Sequence, residues 1–312
     1  MIRHLGYACQ NLSLQTGKKL SERIQTSRTT RMSKFTLERA GELAVKNTAD
    51  LLPILKWNVE NNIKFFRIGS DIFSFMDHPK LGYKLDSLDL SHKTQIIKNL
   101  AEAGKYAKVN GMRLSCHPGP YTCLGSPNSD IVDKSIASLH MHSLIADLLG
   151  YGEEFVINIH VGGVYEEKVA TAKRFVEAYK QLPTLLQRRL TLENDDKASM
   201  WSMWDLWELV YNRCGVKLVL DVHHHKFCGN SNSLRTAAAW AFSTWTGFCE
   251  IPKVHYSESR PNSRPQAHSD YLKETIPVLS DDTEYDVMIE AKAKDLALLE
   301  YREKTSTATS SA

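Results

Sequence analysis

The chain has 312 residues, of which 42% are hydrophobic, and 39 basic side chains nearly balance 36 acidic ones for a net charge of +3. This balance excludes a generally basic nucleic-acid arm, and no apolar stretch reaches the roughly 18 residues that a membrane-spanning helix requires. The N-terminus, MIRHLGYACQ, has no signal-peptide pattern, so we expect a cytoplasmic protein of prokaryotic type without a membrane partner.

Short β-branched runs alternate with helical stretches along the whole chain. The predicted strands lie at 2–7, 64–69, 112–117, 155–160, 189–193, 216–221, 253–257 and 285–290. The predicted helices lie at 36–61, 91–110, 129–149, 166–189, 199–213, 232–245, 266–279 and 291–303, with Ser91 as a candidate N-cap. Eight strand-then-helix units predict a single (β/α)8 TIM barrel in residues 1–303. The polar segment 304–312 is predicted to be a disordered tail.

Two sequence features bear on nucleotides and nucleic acids. The chain has no GxGxxG after its first strand and no GxxxxGK[ST] motif, which argues against a nucleotide-binding α/β fold. Basic residues are concentrated in segments 18–34 and 253–264. Each segment is equally compatible with a solvated loop and with a local binding patch, because electrostatic attraction depends on how charge is distributed.

Six of the short apolar runs that form these strands stop on a side chain that can bind a metal ion. These residues are His117, His160, Glu193, Asp221, His255 and Glu290. The C-terminal ends of barrel strands meet at one face, so the six side chains should converge there. Carboxylates and imidazoles crowded together without a cation would repel one another and lose solvation. We therefore predict a divalent metal site at the C-terminal face of the strands.

Two further histidines are candidate ligands at the same face. His224 follows Asp221 by three residues in DVHHH, and His268 follows the seventh predicted strand in RPQAH. Their neighbours His223 and His225 are expected near the site without binding a metal. Nitrogen and carboxylate ligands suit Zn²⁺, Mn²⁺ or Co²⁺. Ions roughly 3.5–4 Å apart suit phosphodiester hydrolysis, but metal-dependent sugar isomerases use similar barrels, so the ligands alone leave both reactions open.

A series of longer motifs follows in one order along nearly the whole chain. They are GYACQNLSL, FRIGSDIFSFMDHP, LSCHPGPY, NIHVGG, LENDD, LDVHHH, PKVHYS, RPQAH and VMIEAK. In this order they resemble the UV damage endonuclease family, which is related to endonuclease IV-type nucleases and xylose isomerases. The resemblance implies that eight residues hold the metals: His117, His160, Glu193, Asp221, His224, His255, His268 and Glu290. The implied activity is nicking of duplex DNA immediately 5′ to ultraviolet photoproducts, leaving a 3′-hydroxyl and a 5′-phosphate.

The resemblance also implies roles for residues beside the metals. Lys253 in PKVH falls on a lysine that is carboxylated near the metals in the family, and it is expected to act in catalysis. Tyr7 and His78 are expected beside the scissile phosphate as further catalytic groups. Tyr7 and Asn11 are expected to surround the flipped lesion. All of these assignments depend on the resemblance and not on the spacing of the residues.

A pair of residues after the third strand is expected to probe the damaged duplex. The family has Gln-Tyr after HPG, whereas this chain has Pro120–Tyr121, which keeps the aromatic ring and loses the amide. The implied cofactor is a cluster of three divalent ions, Mn²⁺ foremost and Zn²⁺ or Co²⁺ as alternatives. The implied partner is UV-damaged double-stranded DNA, bound by a monomer. A sugar isomerase or epimerase and a damage-binding protein without cleavage are the alternative functions.

Overall fold

Eight parallel strands close into one barrel in the order in which they occur along the chain. The computed structural model describes residues 1–165, 167–247 and 251–310. The strands are β1 (Ile2–Ala8), β2 (Phe65–Ile68), β3 (Arg113–Cys116), β4 (Val156–Ile159), β5 (Leu190–Glu193), β6 (Lys217–Asp221), β7 (Lys253–Tyr256) and β8 (Tyr285–Ile289). Strand β1 closes the barrel by pairing with both β2 and β8. The predicted TIM barrel is confirmed.

Helices surround the barrel and connect most of its strands. They are α1 (Leu37–Ala49), α2 (Leu51–Glu60), α3 (Leu90–Val109), α4 (Ser129–Leu148), α5 (Lys168–Lys180), α6 (Thr184–Arg189), α7 (Met203–Asp205), α8 (Asn212–Cys214), α9 (Val222–Cys228), α10 (Leu234–Ser243) and α11 (Lys294–Ser310). A π-helical segment, Leu206–Tyr211, joins α7 to α8. Side-chain oxygens cap several helix starts: Asp89, and not Ser91, accepts from a free backbone N–H at the start of α3.

Two helices that the sequence predicts as continuous are each divided in two. Segment 36–61 breaks at Asp50, whose carboxylate accepts hydrogen bonds from the backbone of Gln25 and the guanidinium of Arg28. Pro53 then lies in the first turn of α2, where its missing N–H costs little. Segment 166–189 breaks before Pro183, which stands at the start of α6.

Alternation along the strands separates side chains that face the barrel interior from those that face the helices. Ala8, Phe65 and Met288 pack together inside the barrel. Tyr7 and Phe66, one residue away in each strand, join the larger core between the barrel and the helices. The same period of two decides which strand-end side chains can reach the barrel mouth.

The predicted helix at 266–279 is wrong. The connection from β7 to β8 contains an isolated antiparallel bridge between Ser259 and His268 and no helix among the described residues. The carboxylate of Glu258 accepts hydrogen bonds from the backbone nitrogens of Lys273 (3.0 Å) and Glu274 (2.9 Å). These side-chain contacts satisfy backbone donors that would otherwise favour a helix.

The C-terminal segment also differs from the prediction. Helix α11 continues to Ser310, so residues 304–310 are helical where composition predicts disorder, and 311–312 lie outside the described residues. The hydroxyl of Thr305 donates to the carbonyl of Tyr301, four residues earlier, at 3.0 Å, so this polar side chain is hydrogen-bonded within the helix.

Within the described part of the chain, no helix combines the length and apolar character needed to cross a membrane.

Candidate metal centre

Seven of the eight predicted ligands stand at or just beyond the C-terminal ends of barrel strands. Glu193 and Asp221 are the last residues of β5 and β6, and His224 lies in the first turns of α9. His117, His160 and Glu290 each follow the last residue of a strand directly, and His255 is the third residue of β7. The positions therefore bring chain segments from 117 to 290 to one mouth of the barrel.

Glu193 is the centre of this constellation. One of its oxygens, Oε2, lies 3.2 Å from His117 Nε2, 3.0 Å from His255 Nδ1 and 4.0 Å from His160 Nε2. Its other oxygen, Oε1, lies 3.4 Å from His224 Nδ1. The side chain is almost completely buried, so four imidazoles surround one carboxylate that is shielded from solvent.

The candidate ligands form three overlapping groups, in each of which the ligand atoms lie within 4.8 Å of one another. The groups are His117, His160 and Glu193; Glu193, Asp221 and His224; and Asp221, His255 and Glu290. Glu193 and Asp221 each belong to two groups, which is the arrangement that a bridging carboxylate requires. His268 is outside these groups but adjacent to them, since its Nδ1 lies 3.8 Å from Glu290 Oε2.

Backbone carbonyls orient several of the histidine rings. Nδ1 of His117 lies 3.0 Å from the carbonyl oxygen of the next residue, Nδ1 of His224 lies 2.8 Å from that of Asn194, and Nδ1 of His268 lies 3.0 Å from that of Glu290. A ring that donates from Nδ1 to a carbonyl leaves Nε2 unprotonated and able to bind a cation.

His160 has a carboxylate as its orienting partner. Its Nδ1 lies 3.2 Å from Asp195 Oδ1. Burial opposes the charged imidazole, but Glu193 and Asp195 outweigh it and raise the pKa of His160 to about 9. Burial alone dominates at His117, where it lowers the pKa to about 4. Sequence reasoning missed Asp195, although LENDD places it two residues after the central ligand.

The three acids differ in the direction in which the site shifts their pKa. Burial opposes ionisation of Glu193, but the neighbouring imidazoles, that of His255 first, hold the pKa of this carboxyl well below its usual range. Burial likewise opposes ionisation of Glu290, where the guanidinium of Arg67 lowers the pKa. Burial raises the pKa of Asp221 to about 6. Three carboxyl groups at one buried site thus depend on nearby positive charge to stay ionised.

Several buried polar atoms at the site make no hydrogen bond with any described residue. They include both ring nitrogens of His255 and the Oδ2 atom of Asp221, in two side chains without exposed surface. Leaving such groups unpaired is unfavourable, by about 1–3 kcal/mol each. Divalent cations would satisfy these atoms, and the nitrogen and carboxylate donors are of the type that Zn²⁺, Mn²⁺ and Co²⁺ accept. The residues present therefore fit a metal centre.

Two supporting residues were not found from the sequence. Asn158 donates from Nδ2 to Glu193 Oε2, and its own amide oxygen accepts from the hydroxyl of Thr191 at 2.7 Å. Arg67 forms an ion pair with Glu290. Both are polar residues inside apolar strands, and Asn158 stands two residues before a predicted ligand, on the same strand face. That combination of pattern and spacing could have indicated them.

Lys253 lies deeper in the barrel than the candidate ligands. It precedes His255 by two residues in β7, so both side chains point inward, and its Nζ has no hydrogen-bond partner among the described residues. Burial, together with the guanidinium groups of Arg113 and Arg67, lowers the pKa of Lys253 to about 7. This environment favours the neutral amine over the charged ammonium form of Lys253.

The structure does not bring Tyr7 and Asn11 to a surface that DNA could reach. Both side chains are fully buried. The Tyr7 hydroxyl donates to Asn58 of α2 at 2.6 Å and accepts from Asn11 Nδ2 at 2.9 Å, while Asn11 Oδ1 accepts from the backbone of Leu14. Successive side chains of a strand point to opposite faces, so Tyr7 points toward the helices while its neighbours in β1 point into the barrel. The predicted contacts of these two residues with a lesion are therefore not supported by their positions.

His78 and the Pro120–Tyr121 pair lie on loops that follow β2 and β3. His78 is half-buried, and its Nδ1 accepts hydrogen bonds from the backbone nitrogens of Lys80 and Leu81. Pro120 is exposed, and Tyr121 is 88% exposed. An aromatic ring with so little packing has a large free surface, unlike the buried tyrosine of β1.

The fold and the site together define a TIM-barrel protein whose strand ends carry candidate metal clusters of histidine and carboxylate side chains. Residues 3–310 match the UV-endonuclease UvdE family. The chain therefore belongs to this family, as the order of its motifs predicts.

Individual relatives agree with the family match. The UV-damage endonuclease of Schizosaccharomyces pombe is 36% identical over 310 residues, covering 95% of this chain but only 49% of that protein, so the chain spans about half its length. A putative UV-damage endonuclease of Acanthamoeba polyphaga mimivirus is 32% identical over 307 residues, with 95% of this chain and 89% of that protein covered.

Two solved structures show how similar the fold of this chain is to known proteins. The crystal structure of SacUVDE is similar with a TM-score of 0.83 and 28% sequence identity, over 98% of this chain and 99% of that one. Endonuclease IV from Thermus thermophilus is similar with a TM-score of 0.54 and 14% identity, over 81% of this chain and 93% of that one. At 14% identity, the similarity to endonuclease IV shows only that the two proteins share the barrel fold.

Proposed function

We propose that this chain is a metal-dependent DNA repair endonuclease that nicks duplex DNA immediately 5′ to ultraviolet photoproducts. The products would carry a 3′-hydroxyl and a 5′-phosphate. One observation carries the proposal: a chain that matches the UV-endonuclease family over 3–310 gathers histidines and carboxylates of six strands around the buried Glu193. The proposed enzyme acts as a monomer, because a single chain supplies the whole ligand cluster.

The proposed cofactor is a cluster of three divalent ions, with Mn²⁺ favoured and Zn²⁺ or Co²⁺ as alternatives. The three overlapping ligand groups support the number of ions, and His268 completes the ligand set beside Glu290. Such a centre supplies activation of a water nucleophile and neutralisation of phosphate charge. In this proposal Glu193 and Asp221 would each help to hold more than one ion, because each belongs to two ligand groups.

The protein's own groups would complete the site. Lys253, buried and unpaired near the ligands, is the proposed carboxylated lysine; a neutral amine is the form that can accept carbon dioxide. His78 lies on a loop at the same face and is proposed to contact the phosphate. Tyr7 and Asn11 would hold the loop after β1 in place through their mutual hydrogen bond.

The exposed ring of Tyr121 is proposed to stack on bases at the damaged site. Extruding bases costs least where the lesion already weakens stacking, and base–aromatic stacking contributes about 1–3 kcal/mol per base. Pro120 has no side-chain donor, so the pair would probe the duplex by shape and stacking. This mode should recognise cyclobutane dimers and 6-4 photoproducts through their common distortion.

The direct test is nicking of supercoiled plasmid by the metal-loaded protein. Irradiated plasmid should be converted to the open-circular form, and unirradiated plasmid should not. Mapping of the ends on a duplex with one defined photoproduct should give a 3′-hydroxyl directly 5′ of the lesion. Conversion of aldoses to isomers without any nicking would contradict the proposal, and binding of damaged DNA without nicking would indicate a non-cleaving protein.

A further inference from the structure

Positive charge is concentrated in one short part of the chain. Segment 18–34, which we call the basic loop, contains six basic residues and one acidic residue, a net charge of +5. The whole chain has a net charge of +3, so the remaining residues together carry −2. Attraction of a polyanion therefore depends on where this loop lies in the structure.

One of the six cations holds the loop itself in place. The guanidinium of Arg28 lies 2.6 Å from the carboxylate of Asp50. Its backbone N–H donates to Asn47 Oδ1 at 2.9 Å, and its carbonyl accepts from Asn47 Nδ2 at 3.0 Å. Since Asp50 also accepts from the backbone of Gln25, the loop has a defined shape before it meets any ligand.

The other exposed cations of the loop are not neutralised. Lys19, Arg23, Arg31 and Lys34 are exposed and form no ion pair with any residue in the described part of the chain. The second basic segment of the sequence, 253–264, differs in this respect. Its Lys253 is buried and Arg260 lies 3.1 Å from the carboxylate of Asp270. In the second segment only Arg264 is exposed without an ion pair among the described residues, so unpaired surface charge is concentrated in the first segment.

The basic loop lies on the same face of the barrel as the candidate metal centre, because it follows the C-terminal end of β1. The hydroxyl of Thr29 lies 2.7 Å from that of Ser74, in the loop after β2. The ring of Phe35, just beyond the loop, packs edge-on against Phe75 at 5.6 Å, and Phe75 packs against His78 at 5.6 Å. The loop is therefore joined to the segment that carries His78.

We propose that the basic loop binds the phosphate backbone of the duplex beside the metal centre, through Lys19, Arg23, Arg31 and Lys34. The inference rests on the proposed function, since DNA must lie across this face for the loop to meet it. Contacts of this kind fix the position of the protein on the duplex and carry no information about sequence or damage. Binding of intact DNA and binding of irradiated DNA should therefore both depend on these phosphate contacts.

The test is the salt dependence of binding to an undamaged duplex of about 30 base pairs, measured by fluorescence anisotropy with the metal-loaded protein. Each phosphate contact that is lost reduces the slope of log K against log[salt] by about 0.9. The double substitution Arg31→Gln and Lys34→Gln should therefore lower the slope by about 1.8. The matched control, Lys98→Gln and Lys105→Gln, removes two exposed cations from α3 and should leave the slope unchanged.

An unchanged slope in the loop variant, or an equal reduction in the control, would overturn the inference. Circular dichroism of both variants checks that they fold, and the pair Lys19→Gln and Arg23→Gln provides a second measurement on the same loop. Nicking by the wild-type protein separates the two proposals. If the wild type nicks irradiated plasmid while both loop variants keep the wild-type slope, the basic loop is wrongly assigned and the proposed function stands.

Discussion

Replacement of Glu193 by glutamine is the most informative single change at the site. Glutamine keeps the shape of the side chain but removes its charge and turns one oxygen into a donor. Glu193 Oε2 now accepts from Asn158 and lies 3.0–3.2 Å from His117 and His255. If the amide nitrogen of glutamine takes the Oε2 position, it faces the Asn158 donor and that hydrogen bond is lost. If it takes the Oε1 position, the candidate ligand oxygen that faces His224 is lost.

The size of the effect follows from these contacts. A hydrogen bond to a charged group contributes about 1.5–3 kcal/mol, so losing the bond from Asn158 weakens the local network by about that amount. Loss of residues that merely orient a ligand lowers metal affinity or activity by about 10–100-fold. Because Glu193 belongs to two ligand groups, nicking should fall by at least about 100-fold, while binding of damaged DNA is largely kept.

Three measurements check this prediction. Initial rates of plasmid nicking give the loss of activity, elemental analysis gives the metal content, and anisotropy gives the affinity for a damaged duplex. The matched control is Glu102→Gln, the same substitution on the exposed surface of α3, which should behave as the wild type. Wild-type nicking together with full metal content in Glu193→Gln would refute the bridging role.

Three further changes test other parts of the account. Tyr121→Ala should weaken binding of a damaged duplex by about 1–3 kcal/mol without changing metal content, and equal affinity of the variant and the wild type would exclude a stacking role. Asp195→Asn removes the carboxylate 3.2 Å from His160 and should lower metal affinity by about 10–100-fold in a metal titration. Burial lowers the pKa of His142 below its ordinary value of 6.5, so the unfolded chain binds a proton at this imidazole more readily than the folded chain does. As the pH falls from about 7 to 5, the free energy of unfolding of the wild type should therefore decrease relative to that of His142→Leu. Urea unfolding at each pH measures this difference. A difference that stays constant with pH would show that His142 is not buried in its neutral form.

The barrel and the positions of the candidate ligands were predictable because they depend on local patterns. A buried β-branched run that ends on an acid or a histidine specifies both a strand and the end from which the ligand projects. Glu193 and Asp221 meet in space because the closed barrel brings consecutive strand ends together, a rule of topology that needs no detail of packing.

Other features depend on long-range contacts that no local pattern shows. The segment 266–279 is not helical because Glu258 captures its backbone donors. Tyr7 is directed away from the barrel mouth by the alternation of β1 and held by Asn58, which is 51 residues distant in the chain. Arg67 pairs with Glu290 across 223 residues. The family resemblance correctly identifies the motifs, but it does not by itself reveal which side of a strand each side chain occupies.

The central claim is that the ligands gathered around Glu193 hold the metals on which damage-specific cleavage depends. The most direct test is to remove metal from the purified protein with a chelator, add Mn²⁺ back in steps, and follow bound metal and nicking of irradiated plasmid together. We predict that both rise in parallel and that unirradiated plasmid stays intact. Full nicking by the metal-free protein, or saturation of the site with metal without any nicking of irradiated DNA, would contradict the account.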